Sequence, residues 1–200
     1  MTADAELRIA ELERRVSGSY QLLQALVGIR LRSVQDPEGR RHLTWLSDVV
    51  AAMGLINRRV VDSGSIDIAA YLDDAAGFWR RTSENRGVRI ELRAAPTTLA
   101  ESQAVPLAII VHELMSNAVR HAFADNQRGS IAIACSRATD GVSLVVRDSG
   151  IGADEIVKGD GLALVEGLVA HLGGSMVIES APGAGVGVRI RLPIRPETTH

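Results

Sequence analysis

Apolar residues in the first third of the chain recur at the spacing of long helices. Between residues 5 and 34 they fall every three or four positions and form two adjacent stripes. Asp36 and Pro37 fit the N-cap and first helical position of a second helix, which the pattern extends to about Asp62. Two helices joined by so short a turn predict an antiparallel hairpin. Burying both stripes would require a second copy of the hairpin, in a dimeric four-helix bundle.

The remainder of the chain mixes helical and strand patterns. Ser63-Gly64-Ser65 predicts a linker, and Asp67 predicts the cap of a third helix that ends near Arg81. Pro106 suits the first turn of a later helix. The patterns predict strands over 88–93, 130–137, 142–148, 175–180 and 186–194, and helices over 104–123 and 161–172.

This order of elements predicts an α+β fold in two parts. Residues 1–64 form the N-terminal antiparallel helical hairpin. Residues 65–200 form an α/β sandwich, in which a mixed sheet carries its helices on one face.

Composition narrows the class of protein. The 200 residues carry 22 Lys and Arg against 24 Asp and Glu, a net charge of −2, which argues against a nucleic acid partner. The single cysteine, Cys135, lies in an apolar run and is predicted to be buried. The N-terminus is charged rather than signal-like, and no apolar run reaches membrane-spanning length. We therefore expect a cytoplasmic protein with no membrane segment in this chain.

The helix over 104–123 carries the first candidate chemistry. Glu113 and Asn117 are four residues apart, so they project from the same side of the helix. A carboxylate and a carboxamide stacked in this way can hold a hydrated metal ion and a water, as a magnesium-bound triphosphate requires.

Two glycine-containing segments supply what a nucleotide would also need. Asp148 ends a predicted strand and can accept a hydrogen bond from an exocyclic amine, while Gly150 and Gly152 let backbone approach a flat base. Gly159 and Gly161 open a helix whose free N–H groups and dipole favour phosphate.

Taken together, these segments resemble the ATP-binding domain shared by histidine kinases, gyrase, Hsp90 and the MutL proteins. His112–His121 resembles the N box, Asp148–Gly152 the G1 box and Gly159–Leu164 the G2 box of that domain. The resemblance implies ATP and Mg²⁺ as ligands, with Asn117 on the metal and Glu113 as a base or water-positioning group. The implied nucleotide-binding residues are Asn117, His121, Asp148, Gly150, Gly152, Gly159, Gly161 and Leu162. Only six residues separate Gly152 from Gly159, which implies a small lid.

The hairpin resembles the dimerisation and phosphoacceptor helices of one bacterial histidine kinase subfamily, whose first helix usually reads H-R-V-K-N-N-L-Q. The resemblance implies a homodimer through residues 5–62, a response regulator receiver domain as partner and a place in a two-component phosphorelay. Arg14 stands at the position of the acceptor histidine, and Ser17, Gly18 and Ser19 follow it. A guanidinium stays protonated and has no lone pair with which to attack phosphorus. We therefore expect impaired autophosphorylation, as in a pseudokinase.

Alternatives remain open at this point. Instead of such a pseudokinase, the chain is either a kinase for another chain or for an unusual residue, such as Ser17, Ser19 or Tyr20, or a phosphotransfer or scaffold protein. His42 is either a surface residue or a substitute acceptor. His121 either faces the phosphates or contacts the lid, and His112 either lies near Glu113 or faces solvent.

Overall fold

The computed structural model describes residues 3–62, 65–124 and 127–194. Its helices are α1 (Ala3–Ser33), α2 (Pro37–Asn57), α3 (Ile68–Ser83), α4 (Glu101–His121) and α5 (Asp160–His171), with a 3-10 turn over Glu84–Arg86. Its strands are β1 (Val60–Asp62), β2 (Ser65–Asp67), β3 (Val88–Ala94), β4 (Thr98–Ala100), β5 (Gly129–Ala138), β6 (Gly141–Asp148), β7 (Ser175–Ser180) and β8 (Val186–Pro193).

The principal sheet has five strands in the order β3-β5-β6-β8-β7. Strand β3 runs parallel to β5, and the other neighbouring pairs are antiparallel. Helices α3, α4 and α5 contact this sheet and share one hydrophobic core with it. The α+β fold with a mixed sheet is thus confirmed.

Helix starts follow the capping residues that the sequence marks. Asp36 caps α2, since its Oδ2 accepts a hydrogen bond of 2.6 Å from the backbone N–H of Gly39. Asp67 caps α3 in the same way, with Oδ1 3.0 Å from the N–H of Ala70. Each carboxylate satisfies an N–H group that lacks a partner within the first turn of its helix. Both predicted caps are confirmed.

Three predictions about element bounds are wrong. Helix α2 ends at Asn57, and residues 60–62 form β1 instead of continuing the helix. Ser65 belongs to β2, which pairs with β1 on one side and with β4 on the other, while residues 63 and 64 lie outside the described part. Pro106 lies inside α4, because that helix starts at Glu101. Two strands of a short three-stranded sheet, β1 and β2, therefore lie where the sequence predicted a helix end and a linker.

Helix α2 connects the hairpin to the rest of the molecule. It packs against α1 on one side and against α3 and α4 on another. Ala52 and Ile56, in its last turns, are buried in the same hydrophobic core as the sheet. Across the described ranges, no helix combines the length and apolarity needed to cross a bilayer.

Candidate functional site

A cavity of about 430 Å³ lies between α4, the end of β6 and the start of α5. Its walls contain most of the residues that the sequence singled out: Asn117 and His121 from α4, Asp148 and Gly152 from β6 and the loop after it, and Gly159, Gly161 and Leu162 at α5. The apolar side chains of Val146, Ile178 and Val188 complete the floor. Apolar walls with a few convergent polar groups are typical of small-molecule sites.

Asp148 organises the base of this cavity. It is 5% exposed, and its Oδ1 accepts hydrogen bonds from the backbone N–H groups of Gly150, at 2.8 Å, and Val186, at 3.1 Å. These bonds tie the loop after β6 to the start of β8. The second carboxylate oxygen, Oδ2, takes part in neither bond and can accept from a ligand in the cavity.

The loop between β6 and α5 covers one side of the cavity. The Ser180 hydroxyl accepts from the N–H of Ala153 at 2.8 Å and donates to its carbonyl at 3.0 Å, which anchors the first half of the loop to the end of β7. Lys158, the one lysine of the chain, lies with its Nζ 2.5 Å from Glu166 Oε1 on α5. Between these anchors Val157 is 89% exposed. The loop is thus held at both ends and open in the middle.

The start of α5 is built to receive an anion. The N-cap residue is Gly159, which has no side chain. It therefore cannot accept hydrogen bonds from the N–H groups of the first turn. Those groups and the positive end of the helix dipole lie at the cavity wall.

Glu113 and Asn117 both approach this helix start. A Cβ built on Gly161 would lie 2.5 Å from Glu113 Oε2 and 3.9 Å from Asn117 Nδ2. Asn117 is half-buried and lines the cavity, whereas Glu113 is buried beneath it and is not part of its wall. Gly150 also lies outside the wall, and its N–H is used by Asp148.

The titratable side chains predicted around the site take different places. His121 is exposed and lines the cavity. His112 is buried against Trp79, with ring centroids 5.3 Å apart, and its Nε2 lies 3.7 Å from Asp48 Oδ2. His42 is exposed, 3.8 Å from Glu38.

Two further predictions from the sequence concern the single residues Cys135 and Arg14. Cys135 is the buried small side chain that the sequence predicted, and this burial raises the pKa of its thiol to about 11. The side chain of Arg14 lies outside the described residues, although its backbone belongs to α1.

Comparison with known proteins shows which class of protein the chain resembles. Residues 102–196 match the family described as "Histidine kinase-, DNA gyrase B-, and HSP90-like ATPase". This segment is similar to an ATPase domain of that type, and over nearly its whole length the chain is similar to proteins named as histidine kinases.

Individual relatives extend the likeness over nearly the whole chain. Blue-light-activated histidine kinase 1 of Erythrobacter litoralis is 29% identical over 203 residues, which are 98% of this chain and 56% of that protein. Sensor histidine kinase PdtaS of Mycobacterium tuberculosis is 29% identical over 206 residues, covering 97% of this chain and 40% of the relative. The chain thus spans about half the length of these two relatives. The solved histidine kinase domain of a blue-light-activated kinase from Erythrobacter litoralis superposes with a TM-score of 0.69 at 20% identity, over 87% of this chain and 96% of the solved one.

Sequence reasoning missed three contacts at the site. Val186 contributes a backbone N–H to Asp148, and Ser180 holds the loop. Trp45, on α2, donates a hydrogen bond from its indole Nε1 to Glu113 Oε1. No local pattern marks these contacts, since each joins residues at least 27 positions apart.

The turn at Gly185 provides a test of how tightly β8 is held against Asp148. Gly185 has φ +71°, and a Cβ there would lie 2.1 Å from the carbonyl oxygen of Asp148. We expect Gly185→Ala to lower the free energy of unfolding by about 2 kcal/mol or more. Denaturant unfolding followed by circular dichroism measures this loss.

Gly167→Ala is the matched control for that substitution. Gly167 is exposed in α5, with nothing within 4 Å of a built Cβ. Alanine there should change stability by no more than about 1 kcal/mol, and in the stabilising direction. Equal losses in both variants would contradict a tight contact at Gly185.

Proposed function

We propose that the chain is an ATP-binding, histidine-kinase-like protein of a two-component phosphorelay, cytoplasmic and dimeric, which binds a response regulator receiver domain and is impaired in autophosphorylation. The cavity at α4, β6 and α5 is the observation that supports nucleotide binding. It combines a buried carboxylate, apolar walls and an open helix start in a space of about 430 Å³. The matched ATPase family supports the same ligand.

Each end of the cavity suits one end of the nucleotide. Asp148 Oδ2 would accept from the adenine amine, with Gly150 behind it and Gly152 beside the base. Gly159, Gly161 and Leu162 would place backbone N–H groups of α5 around the phosphates. His121, at the exposed wall, would face the phosphates or the loop above them.

The metal would lie on the α4 side of the phosphates. Mg²⁺ is commonly held by one or two protein groups together with phosphate oxygens and waters. Asn117, which lines the cavity close to Gly161, suits that role. Glu113, one turn earlier, would accept a proton from the attacking group or position it.

The acceptor end of the reaction is where the chain departs from an ordinary histidine kinase. Arg14 replaces the acceptor histidine, and its protonated guanidinium cannot attack phosphorus. Binding of nucleotide and response regulator would then persist without ordinary transfer to this position. Transfer to another chain or to an unusual residue is the alternative.

The hairpin supports a homodimer through residues 5–62. Leu22, Leu26 and Ile29 of α1 are 61%, 51% and 54% exposed although α2 packs beside them. An apolar row of this kind on one helix is the face that a four-helix bundle buries. We therefore divide the chain into a dimerisation part, residues 1–64, and an ATP-binding part, residues 65–200.

Nucleotide binding is tested by thermal unfolding with and without Mg-ATP. A ligand present at about 100 times its Kd adds about 2.7 kcal/mol of stability, which corresponds to a rise in Tm of about 5 °C or more for a chain of this size. Asp148→Asn should abolish most of this rise, because an amide that accepts from Gly150 and Val186 presents a donor instead of an acceptor to adenine. Asp140→Asn, in the exposed turn between β5 and β6, should leave the rise intact. Wild-type protein with no rise would refute ATP binding.

Loss of the acceptor is tested with γ-labelled ATP and Mg²⁺. We expect the wild type to carry no acid-labile label, because Arg14 cannot form the phosphoramidate that a histidine forms. The label on the protein is counted after separate acid and base treatment. Acid-labile label that disappears in His42→Gln would show a substitute acceptor, and acid-stable label would favour transfer to a hydroxyl of Ser17, Ser19 or Tyr20.

Dimerisation is tested by sedimentation equilibrium. The double substitution Leu22→Glu with Leu26→Glu places charge on the exposed row of α1 and should convert a dimer into monomers. Val177→Glu is the control, since Val177 is 54% exposed but lies on β7, away from the hairpin. A monomeric wild type, or a double variant that stays dimeric, would contradict an interface along this row.

A further inference from the structure

The contact between Trp45 and Glu113 joins two parts of the molecule that are 68 residues apart in sequence. Trp45 lies in the first half of α2, outside the matched ATPase segment 102–196. Its indole Nε1–H donates to Oε1 of Glu113. A group from the hairpin thus bonds directly to the candidate base of the ATPase domain.

Glu113 needs such a donor because of where it lies. The residue is 4% exposed, and a buried carboxylate is costly unless hydrogen bonds replace its lost water. An ionised carboxylate only accepts hydrogen bonds, and an indole N–H only donates them. The hydrogen bond can therefore run only from the indole N–H to the carboxylate, and Oε1 is the oxygen that accepts it.

The other oxygen of Glu113 points the opposite way. Oε2 lies 2.5 Å from the position of a Cβ on Gly161, at the helix start that forms the phosphate end of the cavity. The Nδ2 of Asn117 lies 3.9 Å from that same position. With Oε1 held by Trp45, the rotation of the carboxylate is fixed and Oε2 is directed toward the site.

Helix α2 is a firm support for this hydrogen bond. Ala52 and Ile56 anchor its second half in the core. One turn after Trp45, Asp48 Oδ2 lies 3.7 Å from His112 Nε2 and 4.0 Å from the Arg120 guanidinium, both on α4. These contacts flank Glu113 along α4, so they hold α2 and α4 together on either side of it.

We propose that Trp45 is a positioning residue for the reaction on ATP: it orients Glu113 so that Oε2 receives the proton of the attacking group. The proposal rests on the proposed function. In hydrolysis, the water oxygen would bond to the γ-phosphorus while the bond to the β–γ bridging oxygen breaks, and that oxygen leaves on ADP with the electron pair. The water proton passes to Glu113 Oε2 and then to solvent.

Steady-state hydrolysis of Mg-ATP by Trp45→Phe tests this role. Phenylalanine keeps an aromatic ring in α2 but removes the N–H, so kcat should fall about tenfold, while the Kd for nucleotide stays within about twofold of wild type. Leu46→Ala, at the adjacent and 40% exposed position of α2, should leave both constants unchanged. A rise in kcat for Trp45→Phe would overturn the proposal, because it would mean that the indole blocks Glu113.

A double-substitution cycle separates positioning from a general effect on α2. If Trp45 acts through Glu113, Trp45→Phe should cause no further loss of kcat in a Glu113→Gln background. Independent losses in the two single variants that multiply in the double variant would overturn the proposal. So would a wild type that binds nucleotide without measurable turnover, since no working base would then be oriented.

The contact itself has a spectroscopic readout that does not depend on ATP. The indole N–H signal of Trp45 in a ¹H–¹⁵N spectrum is identified by its absence in Trp45→Phe. It should move in Glu113→Gln and stay in place in Leu46→Ala, and an unmoved signal in Glu113→Gln would refute the contact. Failure of the wild type to gain stability from Mg-ATP would instead refute the proposed function, whatever this signal shows.

Discussion

Burial of α4 on two sides is the constraint on which the site depends. One side of the helix packs into the core shared with the sheet, and the other packs against α2. Helix rotation is thereby fixed, which sets the direction of Asn117 into the cavity and of Glu113 beneath Gly161. The same burial leaves the Glu113 carboxylate only 4% exposed. A carboxylate so far from water needs hydrogen-bond donors from inside the protein.

Asp148 solves the same problem at the other end of the cavity. It is buried at the end of β6, where a backbone strand stops and a loop must turn. Using Oδ1 for the N–H groups of Gly150 and Val186 satisfies loop backbone and fixes the carboxylate at once. The two buried carboxylates therefore differ in their supports. Asp148 is held by backbone of its own domain, whereas Glu113 is held by a side chain of the hairpin.

Local signals in the sequence were enough for most of the fold. The caps at Asp36 and Asp67, the apolar alternation in β5 and β6 and the helix stop at Gly173, with φ 72°, each act within a few residues, so pattern reasoning places them. The glycines and polar residues of the cavity wall could also be picked out from the sequence, because they lie at or near the ends of helices and strands. Strands of three residues, such as β1, β2 and β4, are too short to show the alternation of apolar and polar residues that marks a strand. They form because segments distant in sequence pair with one another. The role of Trp45 could not be predicted for the same reason, because its hydrogen bond to Glu113 depends on how α2 packs against α4.

The hairpin and the segment that matches the ATPase family are consequently not independent in this chain. A separable domain would satisfy its buried groups from its own residues, as Asp148 does. Glu113 instead takes a hydrogen bond from α2, and α2 is anchored by Ala52 and Ile56 in the core of the domain it serves. Any movement that lifts α2 from α4 would expose apolar residues of that core to water. It would also break the hydrogen bond from Trp45 to the buried Glu113 carboxylate, so both changes would raise the free energy of the separated arrangement. The position of the hairpin is thereby coupled to the orientation of the Glu113 carboxylate.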